Sequence, residues 1–92
     1  MAQIRIPTPL RPYAGGQSAV AVTGDSVGTA LNDLTDQYPD LRQHLFEGPQ
    51  LRSFVNIYLN QEDVRYLQGA ETPLKETDTL LIIPSIAGGV GG

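Results

Sequence analysis

The residues best suited to chemistry are the glycines at the end of the chain. After Pro84 the sequence runs Ser85-Ile86-Ala87-Gly88-Gly89-Val90-Gly91-Gly92. Four of the ten glycines lie in the last five positions, and no side chain after Asp78 is charged. Such a segment cannot bury enough apolar surface to fold onto a body. We therefore expect residues 85–92 to be a flexible tail beyond a folded domain at residues 1–84.

A bare glycine end presents a carboxylate that another protein can reach. Without side chains, a Gly-Gly end can pass through a narrow channel, and eight extended residues reach roughly 26–29 Å. A free carboxylate is a poor electrophile, but its mixed anhydride with AMP can be attacked by sulfide to give a thiocarboxylate. A frayed, inert chain end is the alternative that the tail alone leaves open.

Composition narrows the function classes. The 92 residues suit one domain, with 40% apolar residues and no cysteine, so disulfides, thiolate nucleophiles and zinc knuckles are excluded. The net charge of −4 and the scattered basic residues disfavour nucleic-acid binding, and an acidic chain suits a partner with a basic docking surface. No apolar run is long enough for a membrane span or a signal peptide, which predicts a cytoplasmic protein.

Two alternating segments near the N-terminus predict a β-hairpin. Residues 3–10 begin with Ile4 and Ile6 against polar neighbours before prolines interrupt the pattern, and residues 18–23 alternate again. Between them, residues 11–17 contain a proline and two glycines, which predicts a turn.

The segment after this hairpin predicts the main helix. Gly24, Asp25 and Ser26 supply capping residues, and Pro39 ends the pattern. Apolar side chains spaced by four, three and four form one stripe over about three turns: Val27, Leu31, Leu34 and Tyr38. A short extra turn is expected at 41–46, before a loop at Gly48 and Pro49.

The second half of the chain predicts three further strands. Residues 54–59 alternate most clearly, and a polar turn at 60–63 leads to a short edge strand at 64–67. Residues 80–83 are apolar without alternation, which suits a central strand covered on both sides. Leu74 is expected to be a buried anchor in the connection between them. A mixed sheet of four to five strands with one main helix on one face, an α+β fold, accounts for this order.

Internal residues that look catalytic have simpler explanations. The tripeptide 15–17, Gly-Gly-Gln, is similar to the catalytic tripeptide of peptide-release factors, but its position between two strands favours a turn. Asp25 and Ser26 precede a helix and cap it. Glu62 and Asp63 are adjacent, so a strand would point them to opposite faces, and a polar turn explains them better.

His44 has no nucleophile near it in the sequence and is expected at the surface. We predict no catalytic residue and no metal site.

Three stretches carry a resemblance to a known family. They are Ile6-Pro7-Thr8-Pro9-Leu10-Arg11 with Gly15-Gly16-Gln17, Phe54-Val55-Asn56-Ile57-Tyr58-Leu59-Asn60 with Glu62-Asp63-Val64-Arg65, and Thr77-Asp78-Thr79-Leu80 through Ile83-Pro84 to Ala87-Gly88-Gly89. Over its whole length the chain resembles the ubiquitin-like sulfur carriers of the MoaD, ThiS and CysO group. The first two stretches look like the CysO branch, which serves cysteine biosynthesis.

The resemblance implies a ubiquitin-like β-grasp fold with sheet order 2-1-5-3-4 and parallel first and last strands. It also implies a protein that is not an enzyme and binds no cofactor itself. A ubiquitin-activating-enzyme-like adenylyltransferase and sulfurtransferase would use ATP and magnesium to convert the terminal glycine to a thiocarboxylate. A PLP-dependent cysteine synthase would then use the sulfur, and a metalloprotease would release cysteine.

The resemblance carries functional residues only onto the tail. Covalent modification is expected at Gly92, and the rest of the tail would occupy the partner's channel: Ile86, Ala87, Gly88, Gly89, Val90 and Gly91. A CysO-like ending would be complete at Gly89, so trimming to Gly89 is the alternative. Molybdopterin or thiamin synthesis, protein modification through isopeptide bonds, and an inert ubiquitin-like interaction domain are the other functions that the sequence leaves open.

Overall fold

The C-terminal strand lies at the centre of a five-stranded mixed sheet. The computed structural model describes residues 1–84. In chain order its elements are β1 (Ala2–Arg5), β2 (Ala19–Val22), α1 (Val27–Gln37), α2 (Arg42–Leu45), β3 (Phe46–Glu47), β4 (Gln50–Leu51), β5 (Val55–Leu59), β6 (Glu62–Asp63) and β7 (Thr79–Pro84). Short 3-10 helices occupy Thr8–Ala14, Pro39–Leu41, Val64–Tyr66 and Gly69–Glu71.

The sheet order is β2-β1-β7-β5-β6. β1 pairs antiparallel with β2 and parallel with β7, where Ile4 lies opposite Leu80. β5 pairs antiparallel with both β7 and β6. If the five strands of this sheet are renumbered 1 to 5 in chain order, so that β5, β6 and β7 become 3, 4 and 5, the order is 2-1-5-3-4. The first and last of these strands are adjacent and parallel. The predicted β-grasp fold is confirmed.

One face of the sheet and α1 enclose the core. The strands contribute alternate residues such as Ile4, Ile57 and Leu80, and the helix contributes Leu31 and Leu34, all of them at most 1% exposed. Alternation along the strands and a three-to-four spacing along the helix bring these side chains to one interface. The predicted helix stripe is confirmed, except that Tyr38 is only half-buried at its end.

The helix begins where the sequence predicts, because Ser26 and Thr29 form a capping box. The Thr29 amide donates to the Ser26 hydroxyl over 3.3 Å, and the Ser26 amide donates to Thr29 Oγ1 over 3.0 Å. Two amides that lack partners within the helix are satisfied this way. Ser26 is therefore a cap, which leaves it no catalytic role.

A 3-10 helix takes the place of the predicted turn between β1 and β2. Thr8–Ala14 follows Pro7 and ends at Gly15, whose φ of 67° lies in the left-handed region. Prolines at positions 9 and 12 fix φ near the helical value, so the chain coils where alternation stops. The predicted hairpin pairing is confirmed, and its connection is longer and more ordered than a simple turn.

The edge strand lies earlier than predicted. The sequence placed it at 64–67 after a polar turn at 60–63, whereas β6 is Glu62–Asp63 and Val64–Tyr66 is a 3-10 helix. Asn60 and Gln61 both have positive φ, 50° and 77°, which lets two residues complete the turn. Pairing with β5 therefore resumes at Glu62, and the polar-turn interpretation of Glu62 and Asp63 is wrong.

Smaller parts of the second half also follow or refine the expectations. The extra turn appears as Pro39–Leu41 and α2, and Leu74 is buried as predicted. The loop at Gly48 is the turn of a two-stranded hairpin, β3–β4, which the sequence did not predict. Its strands have two residues each, too few to show a period.

The outer face of β7 is uncovered, contrary to expectation. Leu80 and Ile82 are buried, whereas Leu81 and Ile83 are 38% and 37% exposed. The two aliphatic side chains point to the face opposite α1, where no described element covers them. The absence of alternation in the sequence therefore reflects an apolar surface on the solvent side.

We expect Leu80→Ala to cost about 2–5 kcal/mol in the free energy of unfolding, because it leaves a cavity at the centre of the sheet. Leu81→Ala removes the same atoms from the next position in β7 and should cost less than about 1 kcal/mol. Urea unfolding followed by circular dichroism measures both. Equal losses would contradict the assignment of the two faces.

Candidate functional site

The site that the sequence predicts follows the last described residue. β7 ends at Pro84, whose backbone lies opposite Val55 in the antiparallel pair with β5. The predicted functional residues of the tail, Ile86 to Gly92 with Gly89 as the alternative terminus, lie outside the described residues. The geometry available is therefore that of the body around the point where residues 85–92 begin, at the end of the central strand.

An exposed apolar patch leads to this point along the outer surface of the sheet. We call this surface the open face and define it by the outward residues of four strands: Gln3, Arg5, Ala19, Ala21, Asn56, Tyr58, Leu81 and Ile83. Leu81 lies between Arg5 and Tyr58, its partners on the two neighbouring strands. The open face thus combines two aliphatic side chains, one aromatic ring and one guanidinium group.

Such a surface is suited to binding a protein. Exposed aliphatic side chains on a central strand cost solvation free energy unless a partner covers them, and aromatic and arginine residues are enriched in interfaces. The unbroken apolar run at 80–83 is the part of the sequence that indicates this exposed apolar surface. Its lack of alternation instead predicts a strand whose two faces are both covered by other parts of the same chain.

The Gly15-Gly16-Gln17 tripeptide forms a turn. Gly15 and Gly16 have φ values of 67° and 78°, and the Gln17 amide side chain bonds to the Tyr38 hydroxyl. Glycine is needed here for its left-handed backbone, which explains the residues without catalysis.

Asp63 and Arg65 form an ion pair that stabilises the edge of the sheet. Asp63 is 6% exposed, and its carboxylate accepts from Arg65 Nη2 over 2.9 Å and from the Arg65 amide over 2.9 Å. The side-chain hydrogen bond from Arg65 is the main cause that lowers the pKa of Asp63 below 3.8, with burial opposing it. Glu62 points the other way and is exposed, so no carboxylate pair exists there.

His44 departs from its predicted surface position. It is half-buried in α2, its ring stacks on Tyr13 with centroids 4.1 Å apart, and its Nε2 is buried without a hydrogen-bond partner among residues 1–84. No sequence pattern predicts this contact, because Tyr13 lies 31 positions earlier, in a 3-10 helix that replaces part of the predicted turn.

Within residues 1–84, no three histidine, aspartate or glutamate side chains gather to hold a metal. Over the same residues, no helix is long and apolar enough to cross a bilayer.

Comparison with known proteins identifies the family. The ThiS family model matches residues 4–89. The chain belongs to the ThiS family. It is 40% identical over 89 residues to the sulfur carrier protein CysO of Mycobacterium tuberculosis, an alignment that covers 94% of this chain and 96% of the relative.

Solved structures agree with this assignment. A chain in the crystal structure of the Amycolatopsis orientalis BexX/CysO complex superposes with a TM-score of 0.88 at 35% identity, covering 96% of this chain and 99% of that one. The small archaeal modifier protein SAMP1 of Methanosarcina acetivorans gives 0.86 at 32% identity, covering 95% and 94%. The predicted resemblance to ubiquitin-like sulfur carriers is confirmed, and the relatives are carriers rather than enzymes.

We expect stability to fall more steeply with acid in the native protein than in Asp63→Asn. A carboxyl group whose folded pKa is lowered contributes stability above its unfolded pKa, and the contribution is lost as the pH falls through the folded value. The difference in free energy of unfolding between the two proteins should therefore shrink below about pH 4.

Urea unfolding between pH 2 and 7 measures this difference. Glu62→Gln removes an exposed acid from the same strand and is the matched control. A difference that does not change with pH would show that the pair with Arg65 does not stabilise the fold.

Proposed function

We propose that this member of the ThiS family is a sulfur carrier for cysteine biosynthesis, and that its reacting group is the carboxylate of Gly92. The observation that carries the proposal is the 40% identity to a CysO sulfur carrier over nearly the whole chain. One feature of this chain supports it: the glycine-rich residues follow directly in sequence after the central strand.

Charging proceeds in two steps on the partner enzyme. The Gly92 carboxylate attacks the α-phosphorus of ATP bound with magnesium, forming the acyl adenylate and releasing pyrophosphate. A sulfur nucleophile then attacks the acyl carbon, and AMP leaves with the electron pair of the broken C–O bond. When sulfide is the donor, the product is a thiocarboxylate in which one carboxylate oxygen has been replaced by sulfur.

Delivery uses the nucleophilic sulfur. The thiocarboxylate attacks the β-carbon of an activated serine derivative held by a PLP-dependent cysteine synthase, and the leaving group departs. The amine then takes the acyl group from sulfur, which forms an amide between carrier and cysteine. Hydrolysis by a metalloprotease releases cysteine and restores the carboxylate. A cytoplasmic location is consistent with a cycle that consumes ATP.

The open face is the proposed docking surface for the activating enzyme. It runs along β7 to the start of the tail, so an enzyme that receives the tail can cover both. The existence of a BexX/CysO complex for a relative supports binding of a partner protein. The net charge of −4 would favour an enzyme with a basic docking surface.

A second terminus has its own support. The family match ends at Gly89, three residues before the end of the sequence. Removal of Val90, Gly91 and Gly92 would give a Gly88-Gly89 end with the same chemistry. We favour Gly92 because its Gly-Gly end needs no processing step.

We expect the purified chain to gain about 16 Da when incubated with its activating enzyme, ATP, magnesium and sulfide, as sulfur replaces oxygen at the acyl carbon. An ATP analogue with a methylene group between the α- and β-phosphates should block the gain, because pyrophosphate cannot leave. Intact-mass spectrometry measures the shift. No gain with an enzyme that hydrolyses ATP in response to the carrier would refute the proposal.

The same measurement on shortened chains locates the terminus. A chain ending at Gly92 that is charged without cleavage supports Gly92. If only a chain ending at Gly89 gains the mass, the working carboxylate is that of Gly89.

We expect a Leu81→Ser, Ile83→Ser variant to have a KM for activation that is raised about tenfold, with little change in kcat, since it removes apolar contact area from the open face. Pyrophosphate exchange with saturating ATP measures both constants. Tyr66→Ser is the control, because Tyr66 is 85% exposed and lies outside the open face. Equal KM values for the two variants would exclude this face from docking.

Protein modification is a second candidate function, favoured by the similarity to SAMP1, a small archaeal modifier protein. The same acyl adenylate would then pass to a lysine of a target protein. High-mass conjugates in cell lysate that disappear when Gly92 is deleted would support this function.

A further inference from the structure

A pocket of 390 Å³ adjoins Pro84, at the point where the tail begins. We call it the root pocket. Its walls come from four parts of the chain: Leu10 in the first 3-10 helix, His44 in α2, Arg52 and Phe54 before β5, and Pro84 at the end of β7. Most of the lining is carbon, and Phe54 is 40% exposed although it is large and apolar. The pocket is therefore an apolar depression with a few polar atoms.

The polar atoms are held in place and one of them lacks a partner. The Arg52 Nε donates to the Gln43 carbonyl over 2.9 Å, which fixes the direction of the guanidinium. The His44 ring is held by stacking on Tyr13, and its Nε2 is buried with no hydrogen-bond partner in the described part of the chain. Because this nitrogen is closed to solvent, the Arg52 guanidinium is the charged group that an occupant of the pocket can reach.

The charge of the root pocket is opposite to that of the chain. Its lining contains Arg52 and His44 and no carboxylate, whereas the chain as a whole has a net charge of −4. An occupant that pairs with the Arg52 guanidinium must accept hydrogen bonds and carry negative charge. The apolar walls require that the occupant also bring a hydrocarbon or aromatic surface.

We propose that the root pocket receives an apolar side chain, flanked by a carboxylate, from the enzyme that activates the tail. The carboxylate accepts from the Arg52 guanidinium, and the apolar side chain packs on Leu10 and Phe54. This inference rests on the proposed function, because it concerns the partner that takes up the glycine end. It adds a second anchor that is distinct from the open face.

The position of the root pocket next to Pro84 favours an occupant that belongs to the activating enzyme. An enzyme that takes the tail into a channel must bring the channel entrance to Pro84, which is itself part of the pocket wall. Contact at the root pocket fixes the point at which the tail enters the enzyme's channel. The number of residues between this contact and the reacting carboxylate is then constant, which helps to hold the carboxylate in the geometry that the reaction requires.

The test is pyrophosphate exchange with the cognate activating enzyme, using the full chain. Arg52→Glu should raise the KM for the carrier about tenfold or more and leave kcat unchanged, because it places a carboxylate against a carboxylate. Lys75→Glu makes the same change of charge beyond the opposite end of β7 and should change KM by no more than about twofold.

Two further measurements separate docking from folding. Phe54→Ala alters the pocket wall without touching the hydrogen bond to Gln43, and each variant's melting temperature shows whether the body is intact. The KM of the native chain should rise with salt, and this rise should be smaller in Arg52→Gln. If the folded variants all have the same KM as Lys75→Glu, the root-pocket proposal is wrong. The carrier function still stands in that case if the native chain is adenylated and gains sulfur. A native chain that is never adenylated would overturn both.

Discussion

The parallel contact between β1 and β7 is the constraint on which the rest of the structure depends. Two parallel strands cannot be joined by a tight turn, so the chain must cross over between them. Here the crossover carries β2, α1 and β5 before the chain returns to lie between β1 and β5. The last described strand thereby occupies the central position in the sheet, and residue 85 follows directly from its end.

This arrangement separates stability from reactivity. The core is formed by alternate strand residues and the stripe of α1, and the ion pair of Asp63 with Arg65 stabilises the sheet edge. The residues that looked catalytic have structural roles: Ser26 caps a helix, and Gly15-Gly16 form a turn.

Sequence patterns predicted those parts of the fold that depend on repeated spacing. The α1 stripe, apart from the half-buried Tyr38, and the alternation of β5 follow from local period and are confirmed. The edge strand and the β3–β4 hairpin are missed because two-residue strands have no period, and positive φ at Gln61 is uncommon for a residue other than glycine or asparagine. The glycine-rich ending and the family resemblance predict a site at the tail, which lies outside the described residues, whereas the His44 contact with Tyr13 depends on tertiary structure alone.

The unbroken apolar run at 80–83 explains why periodicity was insufficient at the functional surface. Leu80 and Ile82 pack in the core, whereas Leu81 and Ile83 lie on the opposite face of the sheet and are exposed. This separation of core and surface suits a carrier, because contacts made by the folded body contribute the same binding free energy whether or not the glycine end has reacted. Such uniform binding brings the carrier to an enzyme without favouring either chemical state of the terminus. The body can therefore be recognised by the enzymes that load sulfur and by those that remove it, and the state of one acyl group decides the direction.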